Sequence, residues 1–353
     1  MTPNVVSCPR VGTTLLLWPP MRLKSSRHRQ TLGAALGAVL ALLAWSVTAS
    51  AGNFEVFLPY LWWLHRLEAP AAWHEIGAGP QIVVAVVDSG VDVTHPDLRH
   101  RVLRDSAGRP LGYNLADPRR SVTDPMDLDG HGTHIAGIIA ALTEGIADRV
   151  RLLPLKVTDA QGRPSLYAIT EALELARLMR VDIVNVSLAT DFPAYELERT
   201  IRAASEAGLL IVAGAGQAYR GDPRARNLDE DEGIYPAGYS LTHPVLSVTA
   251  SDESDDLPWW TNYGAHSVQV AAPGAYIWST LPGAAYGGRS GSSMAVGVAS
   301  GVAALAKARH PQLKGPGLRE WLLRSTTPLH QRARSLVSSG GRLSALRAVA
   351  PLP

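Results

Sequence analysis

The sequence predicts an α/β protein of three layers, in which helices cover both faces of a doubly wound, mostly parallel sheet. Two observations predict this class. From residue 82 onward, short apolar runs of strand length alternate with longer segments of helical periodicity. An alternating β-α-β order implies parallel strands joined by crossover helices. No internal repeat or long low-complexity linker interrupts the alternation.

The individual elements follow from the same periodicity. The clearest helix is 165–179, where apolar residues share one face and Ser165 is a suitable N-cap. The other predicted helices are 133–142, 194–208 and 293–310, and the predicted strands are 82–88, 151–157, 182–188, 209–216, 245–251 and 266–274. The polar, turn-rich segment 219–238 predicts a surface loop. In such folds, catalytic groups lie at the carboxyl ends of the strands.

Charge is distributed unevenly along the 353 residues. Residues 1–51 hold five Arg or Lys and no acidic residue, which leaves 28 of the 33 basic residues against all 31 acidic ones. The rest of the chain therefore carries a formal charge of −3. Residues 52–353 are therefore mildly acidic and lack the excess of basic residues that nucleic-acid binding requires, so we expect no nucleic-acid partner.

The basic start predicts a secretory signal peptide over residues 1–51, with Met21 as an alternative start. A positive segment precedes an apolar run of about 16 residues, and Ala49 and Ala51 then form a small-residue cleavage pattern. The alternative is a retained anchor, but the run is shorter than the ~20 residues of a spanning helix. We therefore expect an exported product, periplasmic or secreted, with no membrane span after cleavage. Cys8 is the only cysteine, so the mature chain would have none.

Three patterns carry candidate chemistry, and each has a simpler alternative. Asp88 ends the first apolar run before Ser-Gly, where backbone N–H groups can keep a carboxylate ionised, although an Asp in a turn is common. His131 and His134 lie in DGHGTH at a helix entry, which is compatible with a catalytic imidazole or with ordinary buried histidines. A zinc site lacks further ligands. Ser293 opens the long helix, as a nucleophile or as an N-cap, a role that Ser290 and Ser292 could also fill.

Together the three patterns are far more specific. Asp88, His131 and Ser293 follow the chain order of the subtilisin triad. The stretches DSGVD…HPDL, HGTHIAG and GSSMA resemble the signature blocks of the subtilisin-like serine proteases, and the resemblance runs from about residue 62 to 347. It implies a subtilisin-like peptidase domain over 52–353 with no evident prodomain.

The resemblance also implies a role for each site residue. Ser293 would be the nucleophile, His131 the general base and Asp88 its orienting partner, while His134 would be structural. The substrate-binding edges would be Ser187, Leu188, Ala189, Gly214, Ala215 and Gly216. Tyr235-Pro236 would be the cis-proline turn of the family.

The sequence departs from the family pattern at several positions. Gln217 stands where the family has the Asn that donates to the oxyanion beside the Ser293 N–H, and Gln carries the same NH₂ donor on a longer stem. Ala189 replaces a Gly, and Gly297-Val298 replace Pro-His. Asp97 matches a calcium ligand of the family, but the following loop is short, and most oxygen ligands of that site would be missing. We therefore expect no cofactor, with calcium as the alternative.

These residues predict an exported serine endopeptidase that forms an acyl-enzyme with polypeptide substrates. The alternative is a catalytically weakened pseudoprotease that binds peptides. Because no prodomain is evident, the chain either folds alone or depends on a separate inhibitor or chaperone.

Overall fold

The computed structural model describes residues 61–116, 122–159, 161–218, 224–231 and 233–353. The predicted signal peptide at 1–51, with Met21 and Cys8, lies outside these ranges. Within them, no helix has the length and apolar character needed to cross a membrane.

The elements confirm the predicted alternation. The helices are α1 (Trp62–Arg66), α2 (Ala69–Glu75), α3 (His131–Ala140), α4 (Leu166–Leu178), α5 (Tyr195–Glu206), α6 (Ser292–Arg309), α7 (Gly315–Arg324) and α8 (Ala345–Ala348). The strands are β1 (Ile82–Asp88), β2 (Tyr113–Asn114), β3 (Val150–Lys156), β4 (Ile183–Val186), β5 (Leu210–Gly214), β6 (Val245–Ser251), β7 (Val270–Pro273), β8 (Ile277–Leu281), β9 (Ala285–Arg289), β10 (Thr326–Pro328) and β11 (Gly341–Leu343). Ser165 caps α4 as predicted, since its side chain accepts from the Ala168 N–H.

In the described ranges, nine strands form one sheet in the order β10-β11-β7-β6-β5-β4-β1-β3-β2. Every pair in it is parallel except β10–β11. The remaining two strands, β8 and β9, form a separate antiparallel ribbon. The sequence pattern does not predict this ribbon. The prediction also ran two residues too far at the end of β4 and began four residues too early at β7.

The sheet is buried on both faces. In β1, Val84 and Val86 join a core with α3 and α6, while Ala85 and Val87 join a second core with α4 and α5. Helix α6 is buried along almost its whole length, which explains its small, apolar composition because a helix surrounded by protein needs no polar face.

Helix α3 packs very closely on the β8–β9 ribbon. A Cβ atom on Gly137 would lie 2.2 Å from Thr280 Oγ1 and 2.3 Å from Ser279 Oγ. These two buried hydroxyls donate to the Thr133 and His134 carbonyls. Only a glycine therefore lets the ribbon hydrogen-bond to this helix.

We expect Gly137→Ala to lower the free energy of unfolding by about 2 kcal/mol, measured by urea denaturation. Ala favours a helix interior by ~1 kcal/mol over Gly, but crowding and the displaced hydroxyls cost more. Gly317→Ala in α7 is the matched control, because no atom lies closer than 3.8 Å to the added Cβ. It should be neutral or slightly stabilising. Equal effects of both changes would contradict the packing argument.

Candidate active site

The candidate residues meet at a crevice between β1 and β4. Strand β3 pairs with one edge of β1, and β4 pairs with the opposite edge of β1. This reversal of strand order opens a crevice at the carboxyl ends of the two strands. Asp88 is the last residue of β1, and Ser187 follows directly after β4.

Asp88 and His131 form a direct hydrogen bond at this crevice. The His131 Nδ1–H donates to Asp88 Oδ1 over 2.7 Å, and the same oxygen accepts from the Ser89 N–H over 2.7 Å. Asp88 is fully buried, whereas the His131 side chain is 23% exposed. Burial lowers the pKa of His131, but the charge and hydrogen bond of Asp88 outweigh it, so the pKa is raised above 6.5. The pair holds one imidazole tautomer, with Nε2 free to accept a proton.

The glycine after His131 is required by this contact. A Cβ on Gly132 would lie 2.1 Å from the Gly90 carbonyl oxygen and 3.0 Å from Asp88 Cβ. The start of α3 therefore approaches the end of β1 more closely than any side chain would permit.

The buried carboxylate of Asp127, which was not among the predicted site residues, fixes the start of α3. Asp127 accepts from the Ser89 hydroxyl and the Gly130 N–H with one oxygen, and from the Thr133 N–H and hydroxyl with the other. An acidic residue just ahead of a predicted helix is a capping signal that could have identified it.

The second histidine of DGHGTH has a different environment. His134 is fully buried, and its Nε2–H donates to the Gly287 carbonyl over 3.0 Å. Burial, with smaller contributions such as the nearby Arg289 charge, lowers its pKa to about 3. His134 thus stays neutral and joins α3 to β9, while His131 faces the crevice.

Ser293 lies in the first turn of α6. Its hydroxyl donates to the Ser187 carbonyl over 3.1 Å. The alternative of a serine N-cap is wrong, because Gly291 occupies the N-cap position and no side chain caps from there. Instead, the Oε1 of Gln217, which lies three residues after β5, accepts from the Ser292 N–H over 2.8 Å.

The predicted substrate-binding residues lie on both sides of this helix start. Residues 187–189 continue β4 without pairing in the sheet. On the other side, a Cβ on Gly214 would contact Val296 and Ser292 of α6, and Gly216 has a φ of +80°. The buried Ala215 between them accepts from the Asn262 side chain through its carbonyl. The structure thus places both segments beside the first turns of α6.

In the structure, the side chain of Asp97 hydrogen-bonds to two hydroxyl groups. The Asp97 carboxylate accepts from the hydroxyls of Thr143 and Tyr286 through one oxygen. In the described part of the chain, no group of three or more His, Cys, Asp or Glu side chains is arranged to hold a metal ion. The expectation that the protein needs no cofactor stays a prediction.

Similarity to known proteins identifies the family of this chain. The profile of the Subtilase family, Peptidase S8, matches residues 79–340. The chain is a subtilase. It is 33% identical to Subtilisin BL of Lederbergia lenta over 273 residues. These residues cover 76% of this chain and 91% of that protein.

Two further relatives extend the comparison. M-protease of Shouchella clausii is also 33% identical over 273 residues, which cover 76% of this chain and 65% of that protein. Thermitase of Thermoactinomyces vulgaris is 32% identical over 246 residues, which cover 68% of this chain and 79% of that protein. The protein is accordingly a serine-type endopeptidase. The peptide bond before Pro236 is cis, as the family resemblance implied.

The two histidines of the subtilase should titrate differently. We expect ¹⁵N NMR of imidazole-labelled Ser293→Ala protein to show one of them, His131, changing charge with a pKa above 6.5, while His134 stays neutral from pH 5 to 9. Asp88→Asn should lower the pKa of His131, because the charge that raises it is lost and burial remains. A higher pKa in Asp88→Asn would contradict this account.

Proposed function

We propose that this subtilase hydrolyses peptide bonds through an acyl-enzyme on Ser293, and that it is exported. The observation that carries the mechanism is the hydrogen bond from His131 to the buried Asp88. His131 opens α3, which packs against α6, and the first turn of α6 holds Ser293. In this scheme, His131 removes the Ser293 proton and later delivers it to the leaving amine, and Asp88 stabilises the imidazolium. The basic, then apolar, leader at residues 1–51 supports export.

Substrate binding would release the nucleophile for attack. The Ser293 hydroxyl has one proton, and that proton is directed at the Ser187 carbonyl. An extended substrate that pairs with residues 187–189 would donate a backbone N–H to this carbonyl and displace the hydroxyl. The hydroxyl would then turn its proton toward His131 Nε2.

Gln217 would serve two purposes at once. Its Oε1 is engaged by the Ser292 N–H, which leaves both N–H bonds of Nε2 to donate elsewhere. The Ser293 N–H belongs to the first turn of α6, where N–H groups have no intrahelical acceptor. These two donors would stabilise the oxyanion of the tetrahedral intermediate.

A fluorophosphonate probe tests the nucleophile. We expect the wild-type protein to be labelled and Ser293→Ala to be unlabelled, with peptide hydrolysis reduced about 10⁶-fold, the magnitude for a subtilisin triad serine. Ser292→Ala is the control and should still be labelled. If the wild type binds extended peptides but is neither labelled nor active, the protein is a peptide-binding pseudoprotease, which the present direction of the Ser293 hydroxyl would then explain.

Variants of Gln217 separate its two roles. Gln217→Glu keeps an oxygen for the Ser292 N–H but lacks the NH₂ donor, so we expect kcat to fall at least about 10²-fold with little change in KM. Gln217→Leu loses both contacts, so it should also lower the free energy of unfolding by about 1 kcal/mol. Peptide kinetics and urea denaturation provide the readouts. Near wild-type kcat in Gln217→Glu would rule out the donor role.

A further inference from the structure

Arg289 is a cation beside the proposed general base. It is the last residue of β9, and its Nη2 lies 3.1 Å from the position of a Cβ on Gly130, the residue before His131. Its charge acts on both His131 and His134, in each case lowering the pKa. The positively charged guanidinium therefore lies close to the crevice.

This guanidinium has no acceptor of its own in the described part of the chain. Arg289 is half-buried, yet no carboxylate there lies within ion-pair distance and no hydrogen bond from its side chain is found. Arg342, by contrast, is buried and pairs with Asp255. Because a guanidinium has five donors arranged to bind a planar carboxylate, a half-buried one without a partner is suited to an external anion.

The start of α3 does not compete for such an anion. Its first N–H groups already have acceptors within the protein: the His131 N–H donates to Asp129, and the next two donate to Ser89 and Asp127. Any anion held at this end of the crevice would therefore bind to Arg289.

The position of β9 indicates which part of a substrate would meet Arg289. Under the proposed function, the acyl side of the substrate pairs with residues 187–189, which begin at the Ser187 carbonyl that accepts from the Ser293 hydroxyl. The β8–β9 ribbon packs instead against α3, where the Gly287 carbonyl accepts from His134. Under the proposed function, His131 gives its proton to the leaving amine, so the leaving chain passes on the flank of His131 that faces β9.

We propose that Arg289 binds a carboxylate on the leaving side of the scissile bond. The carboxylate comes from an acidic side chain directly after that bond or from a C-terminal α-carboxylate one residue beyond it. The subtilase thereby prefers substrates that are acidic on the leaving side. This inference rests on the proposed function for its direction along the substrate, whereas the anion site itself rests on Arg289.

Peptides with one acyl-side sequence test this preference. Three substrates differ only after the scissile bond: Glu with an amidated C-terminus, Gln with an amidated C-terminus, and a single Gln with a free carboxylate. We expect kcat/KM of the wild type to be about tenfold higher for Glu or for the free carboxylate than for amidated Gln. The arm with the larger gain identifies the source of the carboxylate.

Variants assign the preference to the guanidinium. Arg289→Gln should abolish the preference, and Arg289→Lys should keep part of it, because the ammonium retains charge but lacks the planar fork. Asp129→Asn is the matched control: it also changes a charge that acts on His131, but its carboxylate lies near Gly162 rather than near Gly130, so the preference should persist. The same discrimination in Arg289→Gln as in the wild type overturns the proposal.

Binding to Ser293→Ala separates this inference from the proposed function. The same peptides are titrated by calorimetry into Ser293→Ala and into Ser293→Ala/Arg289→Gln. Tighter binding of the carboxylate peptides that is lost with Arg289→Gln supports the anion site, even if the wild type resists the probe and cleaves nothing. Equal binding of all three peptides to Ser293→Ala overturns the anion site, whatever the activity.

Discussion

The close approach of α3 to the end of β1 is the constraint on which the site depends. Gly132 lies where no side chain fits, against the Gly90 carbonyl and the Asp88 side chain. This contact brings the imidazole of His131 within 2.7 Å of a carboxylate that water does not reach. A buried carboxylate without a donor is costly, and here the imidazole and the Ser89 N–H supply that donor. The hydrogen bond is thus part of the packing of the sheet against its helices.

A second helix start completes the crevice by a different means. Asp127 and Ser89 satisfy the first turn of α3 with buried acceptors. Helix α6 has Gly291 at its N-cap position and therefore no side-chain cap of its own, and its Ser292 N–H donates instead to Gln217, which follows β5. The first N–H groups of α3 thus have buried acceptors, whereas the Gln217 carboxamide at the start of α6 still has N–H donors available. This difference suits a helix start at which negative charge develops during catalysis.

Much of the fold could be predicted because strands buried on both faces have an unmistakable pattern. The runs 82–88 and 245–251 match β1 and β6 residue for residue. The β8–β9 ribbon was missed because its glycines and its proline turn resemble a loop, and its pairing depends on contacts with α3. Arg289 was missed with it, since its role depends on where the ribbon packs.

The sequence by itself determined the fold class and the three chemical groups of the site, because strand burial, helix entry and residue type are local properties. The tertiary structure alone decided how those groups are used. It separated His131 from His134 by placing one at a buried carboxylate and the other at a backbone carbonyl. It also turned Gln217 toward the Ser292 N–H, a contact across 75 residues that only the packing of β5 against α6 could bring about.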